Sequence, residues 1–118
     1  MNKLELAKLV DLKVNELLEE RGYVSVVDLL MRLDYLSKAD YEQWRYGRIE
    51  YLEKVCKVNL SKLSFINKHL RQISNDLNLQ KSWTYYKKYG KGNKKKLRFS
   101  KSNDEKIEKY YSTHHVLR

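Results

Sequence analysis

Apolar residues in the first twenty positions recur at helical spacing. Leu6, Val10, Val14, Leu17 and Leu18 fall on one face, while Lys8, Asp11 and Glu19 lie off it, which predicts an amphipathic helix over 3–20. Gly22 is its expected stop, because glycine takes the left-handed cap conformation at little cost. Ser25 followed by Asp28, and Ser37 followed by Asp40, repeat one arrangement: a hydroxyl to cap a free backbone N–H, and a carboxylate near the positive helix end. They open a second helix with Val26, Val27, Leu29, Leu30 and Leu33 inward, and a third running to about Tyr46, with Gly47 as its break. Residues 49–57 read as a short fourth helix with Ile49, Leu52, Val55 and Cys56 inward. Asn59 or Ser61 caps a longer fifth, in which Leu63, Ile66, Leu70, Ile73 and Leu77 form a narrow seam. That seam fits an intramolecular groove, or a partner helix in a homodimer.

After residue 80 the period changes from helical to alternating. Over 82–89, Trp83, Tyr85 and Tyr89 share one face of an extended strand, and Thr84, Tyr86 and Lys88 the other. Gly90-Lys91-Gly92-Asn93 has turn composition. Over 95–101, Leu97 and Phe99 oppose Lys96, Arg98 and Ser100, so a hairpin with an apolar face and a basic face is expected. An isolated hairpin is marginal in water, so its apolar face should rest on the helices. Ser102 with Glu105 opens a last helix to about Tyr111, with Ile107, Tyr110 and Tyr111 inward; residues 112–118 read as a frayed tail. The fold class expected is mainly α (α+β), a single domain: a helical part over 1–80, a hairpin over 81–101, a C-terminal helix over 102–111, then the tail.

Charge sharpens this picture. Of 118 residues with a formal net charge of +10, residues 1–80 carry 13 basic and 12 acidic side chains, and residues 102–118 carry three of each. The segment 81–101 carries nine bases and no acid. A polyanion is therefore drawn to one segment, and releasing its condensed counterions supplies salt-dependent affinity. The residues expected to touch nucleic acid are Lys87, Lys88, Lys91, Lys94, Lys95, Lys96, Arg98 and Lys101. Tyr86 joins them as a phenol donor or stacking face, as do Tyr85 and Tyr89. Arg45 and Arg48 follow from a second reading, in which 25–46 is a helix-turn-helix whose second helix also offers Gln43 and Tyr46; with the hairpin as a wing it resembles a winged helix. For the motif over 44–53 the favoured reading pairs Arg45 and Arg48 with Glu50 and Glu53 to fix the joint between two helices, and an arginine pair that binds a phosphate is the alternative.

Other chemistries find less support. The single cysteine, Cys56, allows no internal disulfide and lies on an apolar stripe, as an inert thiol would. Three histidines, His69, His114 and His115, do not make a zinc cluster with it; no cofactor is expected. There is no phosphate loop with a downstream Lys-Ser/Thr and no GxSxG elbow. A metal-independent ribonuclease is a third reading, built on His114, Lys101, Arg98 and Tyr111. No apolar run approaches the roughly 20 residues of a membrane span and no signal peptide is visible, so a cytoplasmic protein is expected.

Two blocks, YLSKADYEQWRYGRIEYLE over 35–53 and SWTYYKKYG…LRFSKSNDEKIEKYYSTH over 82–114, resemble a family of small uncharacterised bacterial proteins. The resemblance covers roughly the C-terminal two thirds and implies no activity, cofactor or site. The leading expectation is thus a nucleic-acid-binding protein, a regulator or a phage- or defence-associated factor, with DNA or RNA as partner. The alternative is an adaptor that docks on an acidic protein surface or dimerises through the 60–77 helix.

Overall fold

The structure, a computed structural model, describes residues 2–92 and 95–118. Its helices begin where local chemistry can start them. Helix α1 (Lys3–Arg21) is capped by Asn2, whose side chain accepts from the Glu5 N–H, and it ends on Gly22 at φ +78°. Ser25 and Ser37 cap α2 (Val26–Arg32) and α3 (Lys38–Arg45), each accepting from the N–H of the aspartate three residues on. Asn59 caps α4 (Leu60–Asp76), and α5 (Glu105–Ser112) starts at Asp104, not Ser102. Removing such a cap typically costs about 1 kcal/mol.

The core joins the apolar stripe of α1 to Leu29 and Leu30 of α2 and to Leu63, Ile66 and Leu70 of α4, all fully buried. Helix α4 packs along α1, so Leu63, Ile66 and Leu70 of the seam are buried within the fold, while Ile73 is partly covered and Leu77, just past the helix, is exposed. His69 reaches across this contact to Asp11, 2.8 Å away. The fourth helix expected over 49–57 contracts to one 3-10 turn, Leu52–Val55. Leu52 is buried there, while Ile49, Val55 and Cys56 are only partly covered.

The larger departure lies at the C-terminal end. Strand β1 (Tyr23–Ser25), β2 (Gln80–Trp83) and β3 (Thr113–Val116) form an antiparallel sheet in the order β1-β3-β2. The segment expected to fray is the central strand: His115 sits opposite Val24 on one side and Lys81 on the other. Thr113 and Val116 are β-branched and His115 is 2% exposed, which suits a strand. Its partners lie at distant points in the chain, so local pattern does not reveal them. Helix α5 runs directly into β3, and five helices with this small sheet make a mainly helical α+β domain.

Candidate nucleic-acid interface

Between β2 and α5 the chain doubles back as two extended arms, 84–89 and 95–101. Among the described residues they meet through Lys88 N–H to Lys95 carbonyl and Leu97 N–H to Tyr86 carbonyl, both 2.9 Å, around one bridge between Lys87 and Lys96. The hairpin is therefore short, and β2 itself pairs with β3 rather than with the second arm.

What holds the arms is packing and clamping. Tyr86, Leu97 and Phe99 are buried, and Trp44 of α3 lies against Tyr86 and Phe99 at ring-centre distances of 5.8 and 5.0 Å. The Trp44 indole N–H donates to the Arg98 carbonyl at 2.8 Å. The 3-10 turn grips one edge of the second arm: Glu53 N–H donates to the Phe99 carbonyl at 2.9 Å, and the Glu53 carboxylate accepts from the Lys101 N–H at 2.9 Å. Glu108 grips it from α5, accepting from Phe99 N–H at 2.9 Å, Ser100 N–H at 2.7 Å and the Ser100 hydroxyl at 2.6 Å.

Tyr86 must be corrected as a contact residue. Its ring points inward, its hydroxyl lies 3.0 Å from His114 Nε2 and 3.5 Å from Ser25 Oγ, and burial raises its pKa. The faces of the first arm are thus inverted: Trp83, Tyr85 and Tyr89 are outward, 52%, 47% and 40% exposed. Arg98 is half-buried, bonded to the Ser100 and Lys101 carbonyls and 3.8 Å from Glu50, so its guanidinium is largely committed. Arg45 is committed too. It donates to Tyr41 at 3.1 Å and lies 4.1 Å over the Tyr89 ring, while its carbonyl receives the Tyr89 N–H. Arg48 is exposed, donates to Gln43 at 3.4 Å and lies 5.2 Å over Tyr46. Neither arginine pairs with Glu50 or Glu53, which serve Arg98 and the second arm instead.

Lys87, Lys88, Lys91, Lys95, Lys96 and Lys101 are all exposed, and among the described residues none forms an ion pair with a carboxylate. Lys94 lies outside the described residues. The aliphatic chain of Lys88 runs along Gly47 (φ +76°), its Cε 3.0 Å from where a β-carbon would stand. This close approach ties the arm to the end of α3, and a larger residue at 47 would push it away.

Exposed rings interleave with these lysines in two pairs. Trp83 and Tyr85 are 4.8 Å apart, with Lys96 over Tyr85 at 4.7 Å and Lys109 over Trp83 at 5.4 Å. Tyr46 and Tyr89 are 5.5 Å apart. Trp83 borders a groove of about 620 Å³ with Lys96, Arg98 and Lys109 on its walls, along with Glu105 and Glu108. Trp83 is the surface ring that sequence reasoning did not place with the basic residues, because alternation points it toward the core.

Of the four groups proposed for a ribonuclease, the Lys101 side chain is exposed, while Arg98, Tyr111 and His114 are each engaged in separate contacts. The Tyr111 hydroxyl donates to Glu53 at 2.6 Å and is buried. His114 stacks on Tyr23 at 5.5 Å, its pKa lowered by burial. Cys56 is a quiet thiol, its Sγ 3.5 Å from the Leu52 carbonyl and its pKa pushed up to about 12 by burial, then by Glu53 and Asp40. Among the described residues no cluster of His, Cys, Asp and Glu could hold a metal, and no helix is long and apolar enough to cross a membrane. Comparison with known protein families, curated proteins and solved structures finds no match for this chain.

Proposed function

We infer that this protein binds single-stranded nucleic acid along the clamped arms. The observation that carries the reading is the coincidence of unpaired lysines with outward aromatic rings on one braced segment. Lys87, Lys95 and Lys96 supply backbone charge; Trp83, Tyr85 and Tyr89 supply flat faces for unstacked bases, each worth about 1–3 kcal/mol where a base stacks. A duplex keeps its bases stacked internally and would use only the charge.

Fluorescently labelled single-stranded and duplex oligonucleotides, titrated at two salt concentrations, test this. A strand preference is expected, with affinity falling steeply as salt rises. Replacing Lys87, Lys95 and Lys96 together by Glu should flatten the salt slope by about 2, because each lost phosphate contact removes roughly 0.7 from it. Unaltered affinity in that variant would overturn the reading. An acidic protein partner would use the same lysines; capture that survives nuclease treatment would favour it.

A further inference from the structure

A second cationic site lies where α4, α5 and the sheet meet. A cavity of about 240 Å³ is lined by Arg71, Lys81, Lys109, Tyr110, Thr113 and His115. Three of these six are cations and none is a carboxylate. Each cation comes from a different element: Arg71 from α4, Lys81 from β2 and Lys109 from α5. Among the described residues none of the three forms an ion pair with a carboxylate. The Lys81 ammonium donates to the neutral Asn75 side chain at 3.2 Å, and Lys109 faces the Trp83 ring. The Arg71 guanidinium lies 3.6 Å over the Tyr110 ring. Its Nη1 is buried with no hydrogen-bond partner among the described residues, a cost of about 1–3 kcal/mol.

We propose that this cleft binds a phosphate monoester. Three cations lining one cleft suit a dianion better than the single charge of a phosphodiester, and a monoester carries about −1.5 to −2 at pH 7. The aromatic ring fixes the plane of Arg71, so its fork is oriented before an anion arrives. The volume falls below the roughly 300–1,000 Å³ of sites that take drug-sized ligands, so the cleft suits a phosphate together with a small part of the group that carries it. Lys109 also lines the groove beside Trp83, which gives the rest of the ligand a path outward. This site does not depend on the lysine arms, and it can fail or hold independently of them.

The probes are inorganic phosphate, a nucleoside monophosphate and an oligonucleotide with or without a 5′-phosphate, each added to the full chain. Binding is followed by the ring proton resonances of His115, which lines the cleft. Saturable shifts are expected with phosphate, together with a rise in the His115 pKa as the fields of Lys81 and Arg71 are neutralised. The variant Lys81→Gln/Lys109→Gln, which changes two exposed side chains, should weaken phosphate at least tenfold and keep the wild-type melting temperature. Arg71→Lys should weaken it less than Arg71→Ala. A 5′-phosphate that strengthens oligonucleotide binding tenfold identifies a strand end as the source; equal binding of the free monophosphate identifies a small metabolite. Either supports the site. Absence of saturable shifts, or equal phosphate binding by wild type and the double variant, overturns it, even if the arm lysines still bind nucleic acid.

Discussion

Replacing Glu108 by Gln would test whether the arms are held by this one carboxylate. Glu108 is 8% exposed and sits in the first turn of α5. Among the described residues no Lys or Arg pairs with it; three donors from Phe99 and Ser100 satisfy its two oxygens. Glutamine keeps the shape and one acceptor oxygen. The best it can do is turn that oxygen to Ser100, weakening two bonds and setting its NH2 against the Phe99 N–H. A hydrogen bond to a charged group contributes about 1.5–3 kcal/mol, and a buried donor left without a partner costs about 1–3 kcal/mol. The expected destabilisation is therefore about 2–4 kcal/mol, a large share of the roughly 5–15 kcal/mol of a domain this size. It should lower the melting temperature by about 10 °C. Urea unfolding gives the midpoint, and amide exchange at Phe99 and Ser100 locates the loss. At low urea, oligonucleotide binding should weaken, since the lysines then lose their fixed platform. A wild-type midpoint with unchanged protection of these two amides would refute the clamp.

Three further outcomes follow from the same geometry. Deleting residues 113–118 removes the strand between β1 and β2 and should abolish cooperative melting by circular dichroism, whereas loss of a frayed tail would leave it intact. His115 has its pKa lowered from 6.5 to about 4, first by burial and then by Lys81, His114 and Arg71. The unfolded chain therefore takes up a proton that the folded one refuses. Stability is undiminished by this group above pH 6.5, and it falls by roughly 1 kcal/mol per pH unit as pH drops toward 4; urea midpoints at pH 7, 5.5 and 4.5 should show it, with a shallower fall in His115→Asn. Trp44 is fully buried and Trp83 half-exposed, so acrylamide or an oligonucleotide should quench about half the emission in wild type and almost none in Trp83→Phe.

Much of the helical part was legible because its signals are local. A capping side chain and the N–H it satisfies are three residues apart, and an apolar stripe needs only its own spacing, so α2, α3 and α4 begin where Ser25, Ser37 and Asn59 place them and α1 ends at Gly22. The sheet was not legible. Tyr23–Ser25 and Thr113–Val116 are short, and each becomes a strand because of the other. The first arm shows a different failure. Alternation divides Trp83, Tyr85 and Tyr89 from Tyr86 correctly, yet it does not say which set is inside. The space beside Trp44 and Phe99 decides that, and it admits one ring, Tyr86. The residues of the phosphate cleft were dispersed likewise, since Arg71, Lys81 and Lys109 share no local motif and meet only through β2–β3 pairing.

The disposition of acids around the arms argues that their charge is kept for a partner. Glu53 and Glu108 are the carboxylates that touch the second arm most closely, and both bind backbone N–H groups rather than ammonium groups. Glu50 reaches Arg98, the most structurally committed of the arm's cations. A segment selected only for stability would turn such acids toward Lys95, Lys96 or Lys101, because crowding like charges costs energy that a nearby carboxylate relieves. Here the acids restrain the chain while the exposed lysines, among the described residues, form no ion pair with them. If that separation is functional, moving a carboxylate onto the lysine face should stabilise the protein while weakening binding. Tyr85→Glu, beside Lys96, is the direct case: a higher urea midpoint together with lower oligonucleotide affinity is the expected pair. Higher stability with undiminished affinity would mean that the unpaired lysines are not what the partner meets.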